Sequence, residues 1–124
     1  MALTTTPQNR ADLPDVTIQE TDTSSTATTD VFDGAKSVYG MKLDNGAETV
    51  DNIFFKFYNA KSVDPTTDLP VLKIKILQGT ERNITISDGL AFTTGCSFRG
   101  TSGTADTDTT SPSDSATATI LVGS

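Results

Sequence analysis

Carboxylates and one thiol are the groups of this chain with the best claim to chemistry, because histidine is absent while Asp and Glu number 16. Without imidazole there is no Ser-His or Cys-His nucleophile, no imidazole zinc site and no general base of the usual kind. Asp106-Thr107-Asp108, with Asp114 close behind, places oxygen ligands at the spacing that opens a calcium loop. The segment lacks the central glycine and the closing bidentate glutamate of such a loop. Asp106, Asp108 and Asp114 are therefore the only residues with any claim to a metal, and the expectation is a solvated acidic loop with no cofactor. Cys96 lies in the apolar, glycine-bearing stretch Leu90 to Phe98, with Arg99 as its nearest base. That setting describes a small buried hydrophobe rather than a reactive thiol. Tryptophan is absent, and Tyr39 and Tyr58 fall in or beside core strands, which disfavours an aromatic-lined sugar cleft. Gly100-Thr101-Ser102-Gly103-Thr104 has glycines but no following helix or lysine, so it is not a phosphate loop. No catalytic residue is expected.

The remaining composition narrows the partners. The chain has 124 residues, a length suited to one domain, and a net charge of -7. An acidic chain is repelled by phosphate, so neither nucleic acid nor an anionic membrane is an expected partner. The lone cysteine excludes an intrachain disulfide. The start, Met1 to Pro7, has neither the basic residues nor the apolar run of a signal peptide, and the chain is expected to be made in a cytoplasm.

The elements that must position these residues fall into two parts. Residues 1–34 are dominated by Thr, Asp and Ser, and the run Glu20 to Asp30 contains no apolar side chain larger than Ala27. Such a run cannot repay its ordering entropy alone, so an extended N-terminal arm is expected. Its apolar points, Leu13, Val16, Ile18, Val31 and Phe32, are spaced for adhesion to a neighbouring subunit. Residues 35–124 have the alternation of strands. Ser37 to Leu43 ends at the turn Asp44-Asn45-Gly46. Asn52 to Tyr58 aligns Ile53, Phe55 and Phe57 on one face and is the expected central strand. Val71 to Leu77 turns Leu72, Ile74 and Ile76 inward and Lys73 and Lys75 outward. Asn83 to Ile86, Leu90 to Phe92, Cys96 to Phe98 and Thr117 to Val122 complete about six or seven short strands, separated by turns such as Asp88-Gly89. Residues 100–115 read as an exposed loop. The expected fold is all-β, a small antiparallel sandwich of jelly-roll type or a barrel, with no helix.

The order of segments from Val38 to Val122 resembles that of small tailed-bacteriophage virion proteins. The resemblance rests on Phe54-Phe55-Lys56-Phe57-Tyr58-Asn59-Ala60, then Pro65-Thr66-Thr67 and Leu69-Pro70-Val71. It continues through Asp88-Gly89-Leu90-Ala91-Phe92-Thr93-Thr94-Gly95-Cys96 and Asp106-Thr107-Asp108-Thr109-Thr110. It implies a virion structural subunit, of the capsid decoration (cement) or tail-associated kind. The implied partners are other virion proteins, the major capsid protein first, and further copies of the chain in a symmetric oligomer, a trimer by expectation. The alternatives are a tail, neck or head-fibre component, or a host-glycan module using loop 100–115.

Overall fold

The computed structural model describes residues 3–7, 16–32, 34–48 and 50–123. Among the described residues eight strands run in chain order: β1 (Leu3–Pro7), β2 (Val16–Thr23), β3 (Lys36–Asp44), β4 (Ile53–Tyr58), β5 (Leu72–Ile76), β6 (Glu81–Phe92), β7 (Ser97–Thr101) and β8 (Ala116–Gly123). They form a five-stranded sheet ordered β1-β2-β8-β3-β6 and a three-stranded sheet ordered β5-β4-β7. Every pairing is antiparallel and neither sheet closes on itself, so the fold is a small β-sandwich and the barrel alternative falls away.

The alternation read from the sequence holds wherever one face of a strand is apolar. Ile53, Phe55 and Phe57 of β4 are buried, as are Ile74 and Ile76 of β5, while Lys73 and Lys75 point away from the core. Facing them from the larger sheet are Val38, Met41, Leu43, Ala118, Ile120 and Val122. Cys96 is part of this core, and burial pushes its thiol up to about 12. The Asp88-Gly89 turn is corrected. Both residues lie inside β6, where Gly89 takes a φ of +77° and the β3–β6 register shifts between Val38 and Gly40. The dipeptide makes a bulge within one long strand rather than an end to it.

The expected N-terminal arm is also corrected. Val16–Thr23 is an interior strand of the larger sheet, paired to β8 on one side and to β1 on the other. Ile18 is 2% exposed, and Val31 and Phe32 are each 7% exposed. Val16 packs against the same core. These side chains fill their own domain and are not adhesive points for a neighbour; Leu13 lies outside the described residues. Beyond β2 the chain crosses to the smaller sheet and runs along the free edge of β7. Thr28 exchanges backbone hydrogen bonds with Phe98 (2.8 and 3.0 Å), Gly100 N–H donates to Ser24 O, and Val31 N–H donates to Cys96 O. The polar run is ordered because its polar groups are used. The buried Glu20 carboxylate accepts from Asp22 N–H and from the Thr28 hydroxyl, which fixes the start of the crossing.

Candidate functional site

The three-stranded sheet has its apolar face on the core, and its outer face carries an unusual row. Lys56 on β4 lies opposite Lys73 on β5 and opposite Arg99 on β7, so three cations stand side by side across the sheet. Like charges in directly opposed positions destabilise a sheet. Two of the three are also out of water, Lys56 at 0% and Arg99 at 1% exposure. Such a row persists only where acceptors are brought to it.

Loop 102–110 brings them. Arg99 donates through Nη1 to Asp108 O (2.6 Å), through Nη2 to Asp106 O (2.8 Å) and through Nε to the Tyr58 hydroxyl (2.9 Å). Lys56 Nζ donates to Ala105 O, and Lys73 Nζ donates to Thr104 O (2.7 Å) and to Asp106 Oδ1 (2.9 Å). Consecutive backbone carbonyls thus point down at the cations. Their own fold is set by Asp108, which accepts from Gly103 N–H and from the Thr110 hydroxyl. The Asp108 carboxyl lies so close to Gly103 that an added Cβ there would sit 2.6 Å from its Cγ. The rest of the connection is held separately. Glu48 accepts from Asp114 N–H, and Asp51 accepts from Ser113 N–H and its hydroxyl.

This places the three metal candidates. Asp106 pairs with Lys73, and Asp108 organises its own loop. Asp114 is reached at its backbone by Glu48. Among the described residues no group of three or more Asp, Glu or Cys side chains stands in a geometry that could hold a metal ion. The picture of a solvated loop is sharpened as well, since its inner side is a lid of carbonyls over buried cations. Lys56, Arg99 and Tyr58 were each met in the sequence but not read together as one site. The available signal was local: a lysine inside an aromatic strand and an arginine just after Phe98, both on the outward parity. Only strand pairing puts them in one row.

The charges have a pH signature. The hydrogen bond from Lys73 holds Asp106 below the ordinary carboxylate range. Partial burial pushes Asp108 up, but bonds from Gly103 and Thr110 outweigh it and leave it lowered. Burial, then the nearby Arg99 charge, lowers Lys56. A carboxyl with a depressed folded pKa stabilises fully above its unfolded value, and that contribution is lost as pH falls through the folded value. Acidification below the ordinary aspartate range is therefore expected to loosen the loop before the core. Amide exchange at residues 102–110, measured against β4 amides on stepping from neutral pH downward, checks it. Parallel loss of protection in both would contradict it.

Elsewhere, a shallow depression of about 300 Å³ on the outer face of the larger sheet is lined by Tyr39, Lys42, Asn83, Ile84 and Leu121, among others, and by no carboxylate or thiol. The exposed apolar residues are more telling. Of the large ones, Val50, Leu69, Val71 and Leu77 are 51–73% exposed; of these, Leu69, Val71 and Leu77 sit just before and after β5. β5 is an edge strand, and the opposite edge of its sheet, β7, is the one covered by residues 24–31.

The arrangement defines a two-sheet β-sandwich with a cation-pinned loop and, at β5, an apolar-flanked edge that is open among the described residues. Comparison with family models, with curated proteins and with solved structures finds no match in any of the three.

Proposed function

We propose that this chain is a non-enzymatic structural subunit of a virion, and that it acts as a capsid decoration protein by burying surface against neighbouring virion proteins. The observation that carries the proposal is the edge of β5, flanked by Leu69, Val71 and Leu77, three of the exposed large apolar side chains of an acidic chain. Exposed apolar side chains gathered beside the unpaired edge of a strand mark a contact surface. The segment order from Val38 to Val122 that resembles small phage virion proteins supports the virion setting. Because β1 and β2 belong to the sandwich, this reading assigns the contact to the domain surface rather than to an arm.

The test is composition. In particles purified on a density gradient from the host carrying this gene, the chain is expected at a fixed ratio to the major capsid protein. Recovery only from the unassembled fraction would sink the proposal.

A further inference from the structure

The stretch Leu69 to Leu77 alternates in burial from end to end. Leu69, Val71, Lys73, Lys75 and Leu77 are exposed, while Leu72 is half-buried and Ile74 and Ile76 are buried. The exposed row of the edge therefore reads apolar, Lys, Lys, apolar, from Val71 to Leu77. Lys75 lies 5.9 Å from the centroid of the Phe54 ring, and Lys73 reaches Asp106, so both ammonium groups are held on the outer face beside the edge.

From this we infer that β5 accepts an extended strand of another protein, and that the strand carries two acidic side chains at alternate positions between apolar ones. The inference rests on the structural-subunit proposal and names the chemistry of its partner. Main-chain hydrogen bonds to an open edge supply affinity for any strand, whereas the side chains opposite decide which strand fits. A second copy paired through the same edge in the symmetric register is disfavoured. Antiparallel self-pairing centred on Ile74 sets Lys73 against Lys75 and Lys75 against Lys73, and like charges directly opposite are destabilising. Lysines on an edge are a device against self-association. A partner with the pattern apolar-x-acid-x-acid-x-apolar turns both repulsions into attractions, and its apolar ends cover Val71 and Leu77. Because the row reads nearly the same in both directions, the pattern suits a parallel or an antiparallel strand.

Two short synthetic peptides test this on the intact chain, both with valine and leucine at the ends and threonine at alternate positions. One carries two glutamates between them and the other two lysines. Titration followed by amide chemical shifts is expected to move β5 resonances, with the acidic peptide bound about tenfold tighter, since two cross-strand charge positions change sign. Lys75→Glu, an exposed change, is expected to abolish that preference. Equal binding of the two peptides, shifts confined to residues away from β5, or no binding by either overturns the inference. Lys75→Glu chains still incorporated into particles at the wild-type ratio would overturn it too, while leaving the structural-subunit proposal intact. Absence of the wild-type chain from particles defeats that proposal whatever the peptides do.

Discussion

Deleting residues 1–34 is expected to unfold the domain. The sequence suggested the opposite, that an appendage would be trimmed and a folded sandwich left behind. The deletion removes β1 and the interior strand β2, so β8 loses the partner that runs from Val16 to Thr23. It also removes Ile18, Val31 and Phe32 from the core. Burial of each such side chain contributes roughly 1.5–3 kcal/mol. Three together approach the about 5–15 kcal/mol by which a domain of ordinary stability is held. The uncovered edge of β7 adds unpaired backbone groups at Phe98 and Gly100. Far-UV circular dichroism and urea titration of residues 35–124 check this. A cooperative transition at the full-length midpoint would refute it. The point substitution Phe32→Ala tests the same packing more gently, with an expected loss of about 3–5 kcal/mol.

Replacing Arg99 by methionine is expected to free loop 102–110 and to cost about 3 kcal/mol. The side chain is 1% exposed and each of its three hydrogen bonds ends on a different acceptor, Asp108 O, Asp106 O and the Tyr58 hydroxyl. Methionine fills similar space but satisfies none of them, and each buried acceptor left unmade costs about 1–3 kcal/mol. Two effects reduce the sum. The carbonyls can turn to water once the loop lifts, and Lys56 is relieved of a neighbouring charge. Arg99→Lys should recover little, because an ammonium cannot reproduce the guanidinium fork. Thermal melting reports the stability, and amide exchange at residues 102–110 reports the release. Wild-type exchange at those amides in Arg99→Met would show that the arginine does not hold the loop.

How far the sequence disclosed this molecule depends on which interactions carry each part. β4, β5 and β8 were legible because an apolar–polar alternation survives along them, and Lys73 and Lys75 announced the outer face of β5 directly. β2 was not legible, although Val16 and Ile18 begin a correct alternation, because the next inward position is Glu20. A buried carboxylate in a strand makes sense only once its partners, Asp22 N–H and the Thr28 hydroxyl, are in place. The crossing from Ser24 to Phe32 is held chiefly by backbone bonds to β7, which composition does not register. The cation row was hidden for another reason. Lys73, Lys56 and Arg99 are far apart in the chain, and their adjacency is a property of register, not of any segment. Asp106 and Asp108 drew attention as ligands for a free cation, and the cations they and their neighbouring carbonyls serve were already on the chain.

That last arrangement sets how the loop answers its surroundings. A cation bound from solution has a dissociation constant, so chelators, dilution and competing ions all act on whatever it orders. Here the positive groups are covalently tethered, and mass action has no hold on them. The ordering of residues 102–110 by Lys56, Lys73 and Arg99 is therefore indifferent to protein concentration and unmoved by chelators. Its vulnerability is chemical instead. A reagent that acylates amines would reach the partly exposed Lys73 first, delete its charge, and leave Asp106 facing Lys56 and Arg99 with one counter-charge fewer.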